Sequence, residues 1–166
     1  MGAALARRGL TLIYGGASVG LMGAVADGAL DHGGRVIGVM PQALFEKELR
    51  HTRLTEFEVV DTMHTRKARM IELADAMIAL PGGFGTYEEL TEAVTWAQLG
   101  YHNKPCGVLN QNGFYDGLLQ LMERAIAEGF VRDGHRDLLV VDDDVERLLD
   151  RVATHTPPTL TKWITP

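Results

Sequence analysis

The chain lacks most of the patterns that mark a disulfide scaffold, a membrane protein or a nucleic-acid binder. It has one cysteine in 166 residues, Cys106, so no disulfide can form within it. That cysteine lies in the apolar run Cys106-Gly107-Val108-Leu109, the setting of a buried structural thiol rather than a nucleophile. No apolar run approaches the ~20 residues that a helix needs to span a bilayer. The first residues also lack the hydrophobic core of a secretory signal, and cytoplasmic residence follows as the default expectation. Basic residues are in deficit: 16 Lys and Arg against 22 Asp and Glu give a formal charge of −6. A nucleic-acid polymer, whose backbone needs a basic face, is therefore not an expected partner, whereas a small anion held by local dipoles is compatible. The six histidines show neither an HExxH motif nor a paired-ligand spacing, so no metal site and no required cofactor are expected.

What is present is apolar and alternating. At 46% hydrophobic content, 166 residues can bury one substantial core, which predicts a single domain over residues 1–153. Strand candidates are Leu10–Tyr14, Val36–Met40, Phe57–Val60, Ala76–Leu80, Cys106–Leu109 and Leu138–Val141. Helical patterns fall at Met1–Arg8, Leu21–Leu30, Met63–Ala74, Thr86–Leu99, Tyr115–Glu128 and Asp143–Val152, with Pro105 and Gly129 at the breaks. Continuous apolar runs separated by helices describe a doubly wound, Rossmann-like parallel sheet covered by helices on both faces. Residues 154–166, with three prolines and five threonines, have no periodicity and read as an irregular tail, whose Trp163 and Ile164 would dock on a neighbour. Opening on a helical fragment instead of a strand gives the further expectation that a central first strand is missing.

Ligands of such sheets bind beyond the carboxyl ends of the strands. There the sequence carries Pro81-Gly82-Gly83-Phe84-Gly85-Thr86-Tyr87-Glu88-Glu89, between a strand run and a helical pattern. Glycines let backbone approach a ligand, Thr86 is placed to cap the helix, and the free N–H groups of a helix start suit a phosphate. Glu88 and Glu89 would then sit in the first helical turn beside it. The competing reading is a plain strand-to-helix turn, since glycine is often needed only to reverse direction. The loop is not a P-loop, which needs Lys-Ser/Thr after its last glycine, and it lacks the third glycine of a dinucleotide fingerprint.

A second constellation runs Asp61-Thr62-Met63-His64-Thr65-Arg66-Lys67-Ala68-Arg69-Met70. Asp61 or Thr62 can cap a helix, and Met63, Lys67, Met70 and Ala74 recur at helical spacing. Cations near a helix start oppose its dipole, so Arg66 and Lys67 point to an anionic partner; the alternative is a solvated basic face. A third turn, Tyr14-Gly15-Gly16-Ala17-Ser18-Val19-Gly20-Leu21-Met22-Gly23, offers Gly15, Gly16 and Gly20 as pocket candidates, with Gly23 read as close helix packing. Trp96 would line a base pocket or, as aromatics at this spacing more often do, belong to core or interface.

Together, Pro81-Gly82-Gly83-x-Gly85-Thr86-x-x-Glu89 and Met63-His64-x-Arg66-Lys67-x-x-Met70 resemble the Lonely Guy (LOG) family of cytokinin-activating phosphoribohydrolases. Tyr14-Gly15-Gly16, Gly20-Leu21-Met22-Gly23, Thr95-Trp96-Ala97-Gln98-Leu99-Gly100 and Gly113-Phe114-Tyr115 extend the resemblance from Met1 to about Val152. It implies hydrolysis of the N-glycosidic bond of a nucleoside 5′-monophosphate, releasing free base and ribose 5-phosphate, with adenine or an N6-modified adenine as the base. It also implies Arg66 and Glu89 as the catalytic pair, and Lys67, Gly82, Gly83, Gly85, Thr86 and Glu88 as substrate-binding residues. Glu48, Thr95, Gly15 and Gly16 are further contributors. Family members begin with a strand ending in a Cys-Gly-Ser-Ser-like turn, which nothing before Leu10 matches.

The resemblance further implies a homodimer. The alternative function is a non-catalytic carrier or sensor of a nucleotide or of molybdenum cofactor, for which similar folds are used. Lysine decarboxylase, a label attached to similar sequences, would need pyridoxal phosphate on a lysine; Lys47, Lys67, Lys104 and Lys162 show no such context.

Overall fold

Two of the apolar runs become strands buried from end to end. Strand β2 (Val36–Pro41) lies between β1 (Leu12–Tyr14) and β3 (Glu56–Val60), all parallel. Strand β5 (Cys106–Leu109) likewise lies between β4 (Met77–Ala79) and β6 (Leu139–Asp142). A strand with neighbours on both sides and helices on its faces has no water-facing position, which is why these two runs show no alternation. Strand β3, at a sheet edge, is open to water and charged. Its Glu56 pairs with Arg35, and its Glu58 accepts from Nε of Arg69 at 2.9 and 3.0 Å.

The structure, a computed structural model, describes residues 1–45 and 50–159. It divides into two compact units, Met1–Ala74 and Asp75 onward. The first contains α1 (Gly2–Arg7), β1, α2 (Gly20–Leu30), β2, the short α3 (Gln42–Phe45), β3 and α4 (Met63–Leu73). The second contains β4, α5 (Phe84–Leu99), β5, α6 (Asp116–Ala127), β6 and α7 (Val145–Thr154). Parallel neighbours demand a crossover, and helices supply it: α2 between β1 and β2, α5 between β4 and β5, α6 between β5 and β6.

Each unit is thus a three-stranded parallel sheet flanked by helices, the Rossmann-like α/β arrangement expected from the sequence. All six strand runs form, with ends shifted by at most two residues. The four-residue α3 and the 3₁₀ turns Gln111–Gly113 and Asp133–Leu138 carry too little periodicity to be read in advance. Helix α7 reaches Thr154, one residue into the expected tail; residues 155–159 follow without regular structure, and Trp163 and Ile164 lie outside the described residues. No helix among the described residues is long and apolar enough to cross a membrane.

The first core gathers Tyr14, Ala26, Ala29 and Val36; the second gathers Ala79, Leu90, Val108 and Tyr115. Cys106 is wholly buried, and burial pushes its thiol up to about 12, the inert state expected of it.

The end of β6 is fastened by charge. Asp142 Oδ1 accepts from the backbone N–H of Asp144 at 3.0 Å and from Arg147 Nε at 3.2 Å, and Oδ2 accepts from Arg151 Nη1 at 3.0 Å. The Asp144 N–H, with the two guanidiniums after it, outweighs desolvation and lowers the Asp142 carboxyl from 3.8 to about 2. A carboxylate with a depressed folded pKa stabilises the fold above its ordinary value and releases that contribution as protons bind. Stability is therefore expected to drop as pH falls from 3.8 towards about 2, and Asp142→Asn to flatten that acid limb. Thermal midpoints measured across that range check it; equal slopes in both proteins would remove Asp142 from the account.

Candidate active site

Helix α4 starts where β3 ends. Thr62 is its N-cap, its Oγ1 accepting from the Thr65 N–H at 3.1 Å, which sets the helix phase and places Arg66 and Lys67 one turn in. Both are buried, at 9% and 8% exposure, so the solvated basic face is excluded. The Arg66 Nε donates to the Val39 carbonyl of β2 at 3.1 Å, and Nη1 approaches Met63 Sδ at 3.7 Å.

The guanidinium lies against the turn that follows β1. A β-carbon on Gly15 would fall 1.8 Å from Arg66 Nη2 and 2.9 Å from its Cζ, so only glycine lets this turn and this side chain coexist. Gly16 is held by its carbonyl, which accepts from the His51 N–H at 2.9 Å. His51 itself is buried: Nδ1 accepts from the Arg53 N–H at 3.2 Å and Nε2 lies 3.1 Å from Asp27 Oδ1. Ala17 and Arg50 form an antiparallel bridge beside it. The preceding Tyr14 hydroxyl is buried, and burial first, then the Asp27 carboxylate, suppresses its ionisation. Gly20 opens α2, and Gly23 is a packing glycine as expected, since a β-carbon there would meet the Ser18 carbonyl at 2.0 Å.

His51 was not legible as a site-supporting residue, because a lone histidine between Arg50 and Thr52 carries no spacing signal. Glu48, expected to contribute to binding, lies outside the described residues.

The second unit carries the other motif, and here two expectations are corrected. The N-cap of α5 is Gly83, in extended backbone at φ −100° and ψ −153°, and no side chain caps the helix. Thr86 therefore does not cap; it lies inside the first turn, and Glu88 and Glu89 lie beyond that turn, which holds no carboxylate. The physical reason is that Phe84 and Gly85 already adopt helical geometry, so the helix starts earlier than the threonine suggests. The first intrahelical bond shown runs from the Tyr87 N–H to the Gly83 carbonyl at 3.1 Å, leaving the amides of Phe84, Gly85 and Thr86 ahead of it.

Thr86 folds back over the loop: a β-carbon on Gly82 would sit 2.2 Å from its Oγ1. Gly83 and Gly85 are exposed, and nothing stands within 4 Å of a β-carbon built on either. Phe84 between them is 91% exposed. Glu88 is exposed and Glu89 half-buried. Thr95 is exposed, its hydroxyl spent on the Thr91 carbonyl at 2.6 Å; Trp96 packs edge-to-face on Tyr101 at 6.3 Å. The structure thus brings Gly15, Gly16 and Arg66 together in one unit, and Gly82, Gly83, Gly85 and Thr86 in the other. Among the described residues no group of three or more His, Cys, Asp or Glu is placed to hold a metal ion.

Residues 22–152 match a family model described as "Possible lysine decarboxylase". The chain is also 53% identical over 147 residues to the cytokinin riboside 5′-monophosphate phosphoribohydrolase of Rhodococcoides fascians, covering 88% of this chain and 74% of that protein. The chain belongs to the LOG family. A LOG relative of the same name from Arabidopsis thaliana is 46% identical over 153 residues, 92% of this chain and 72% of its own. Among solved structures, the molybdenum cofactor binding protein of Rippkaea orientalis superposes with a TM-score of 0.69 at 20% identity, covering 92% of this chain and 82% of that one. At that identity the likeness to the molybdenum cofactor binding protein is one of fold alone.

The two glycine turns predict opposite responses to a methyl group. Gly15→Ala drives a β-carbon into Arg66 and is expected to cost roughly 1–3 kcal/mol of stability. Gly85→Ala meets nothing and lies in a helix, so it is expected to be neutral or to stabilise by about 0.5–1 kcal/mol. Urea unfolding of both variants checks this; a Gly15→Ala protein as stable as wild type would show that the guanidinium is not locked in place.

Proposed function

We propose that the chain hydrolyses the N-glycosidic bond of adenosine 5′-monophosphates, including N6-modified ones, and releases the free base and ribose 5-phosphate. The observation that carries this reading is the 53% identity, over most of the chain, to a relative named for that activity. Local geometry supports it. The helix start at Gly83, with amides ahead of the first helical bond and no carboxylate in the first turn, has the electrostatics a 5′-phosphate needs. Gly83 and Gly85 leave the space for it, and the Thr86 hydroxyl adds a donor beside Gly82.

Cleavage of a glycosidic bond builds positive charge on the sugar ring. Glu89 stabilises that oxocarbenium character and orients or deprotonates the attacking water. Phosphate binding at Gly82, Gly83, Gly85 and Thr86 supplies remote binding energy that holds the sugar in place for the reaction. Arg66 and Lys67, buried cations on α4, serve the anionic substrate, and Arg66 acts in catalysis with Glu89. Glu88 and Thr95, with Glu48, complete the binding residues, and Gly15, against Arg66, with Gly16 after it in the same turn, joins them. The working form is a cytoplasmic homodimer without a cofactor, acting on a small nucleotide and not on a nucleic acid or a membrane.

Chromatographic detection of base and ribose 5-phosphate after incubation with AMP and with isopentenyladenosine monophosphate tests the reading. Glu89→Gln is expected to lower turnover by about 10²–10⁴-fold while nucleotide binding persists. An unimpaired variant would remove Glu89 from the mechanism. Tight nucleotide binding by the wild-type chain without base release would favour a carrier instead.

A further inference from the structure

We propose that Tyr115 is a positioning residue that holds loop 81–85, through its hydroxyl, in the geometry that binds phosphate. The inference rests on reading that loop as the 5′-phosphate cradle. Gly113-Phe114-Tyr115 is a family-like motif to which the hydrolytic chemistry assigns no task, and the structure shows what its last residue touches.

Tyr115 is 1% exposed, and its O–H donates to the Leu80 carbonyl at 2.5 Å. Leu80 is the residue between β4 and Pro81, so the bond fastens the entry to the loop. Pro81 has no N–H of its own, which leaves the chain there short of a donor and makes a side-chain anchor on the preceding carbonyl more consequential. The ring takes hold of the exit as well. It packs edge-to-face on Tyr87 at 6.3 Å and 79°, and Tyr87 lies between Thr86 and Glu88 on α5. One side chain therefore grips the loop at both ends.

Tyr115 is itself fixed from the sheet. Its N–H donates to Asn110 Oδ1 at 2.7 Å, Asn110 Nδ2 donates to Asp116 Oδ1 at 2.8 Å, and the Asn110 N–H donates to the Asp142 carbonyl of β6 at 2.8 Å. Phe114 closes the other side of the ring at 5.0 Å. Burial, with a smaller push from Tyr87, raises the hydroxyl to about 12, so it remains a donor throughout the working range. A buried O–H whose partner is the last carbonyl before a ligand loop transmits its position to the loop; its removal leaves that carbonyl to relax.

The test is calorimetric titration of ribose 5-phosphate and of adenosine into wild type and Tyr115→Phe, with unfolding curves alongside. A merely structural tyrosine would weaken both ligands alike or neither. The positioning role predicts a folded variant that loses roughly ten-fold in ribose 5-phosphate affinity, equivalent to about 1.4 kcal/mol, and holds adenosine within about two-fold. Equal losses, or none, overturn it. Should Tyr115→Phe not fold, the same titrations on Asn110→Ala, which frees the tyrosine backbone, decide by the same split. Base release by wild type without the selective loss sinks the positioning role alone. Ribose 5-phosphate binding without base release sinks the hydrolase reading and leaves Tyr115 to be judged on its own split.

Discussion

A guanidinium beneath the surface is the constraint around which the first unit is organised. Removing a cation from water costs several kcal/mol unless hydrogen bonds and close contacts replace the lost hydration. Arg66 obtains part of that replacement from the Val39 carbonyl, which fixes its reach relative to β2. Its Nη2 edge occupies space that any side chain at residue 15 would claim, which fixes the turn after β1. The N-cap at Thr62 sets the helix phase that aims it there. Strand, turn and cap therefore answer to one buried charge.

The second unit uses glycine for a different purpose. At Gly15 the missing side chain makes room for a group of the protein itself. At Gly83 and Gly85 it makes room that the protein leaves open, beside amides that precede the first helical hydrogen bond. Fold requirements account for the first case and not for the second. That contrast separates glycine that makes room for a side chain of the fold from glycine that borders open space, a distinction that the residue type alone does not carry.

The sequence made the fold legible wherever burial was uniform. Val36–Met40 and Cys106–Leu109 were read nearly to the residue because a strand buried on both faces leaves an unbroken apolar run. Helices α4 and α7 announced themselves through periodicity, and α4 also through the cap that the structure retains at Thr62; the Asp144 cap of α7 emerges only from the structure. Where local chemistry misled, glycine was the cause: Thr86 looked like a cap, but Gly83 and Gly85 let the backbone enter the helix sooner. The supports of the site were hidden for another reason. His51 and Tyr115 act through backbone carbonyls of residues 35 positions away from each, and a carbonyl has no sequence identity to betray it.

The charged edge of β3 has a consequence for the protein in bulk. An edge strand offers unpaired amides and carbonyls to any other strand that approaches. Here the approach is guarded by Glu56 with Arg35 and by Glu58 with Arg69, whose ion pairs would have to shed water and partners before a foreign backbone could dock. Crowded copies of the chain are thereby steered away from strand-by-strand polymerisation, and whatever association they undergo is left to surfaces other than that edge.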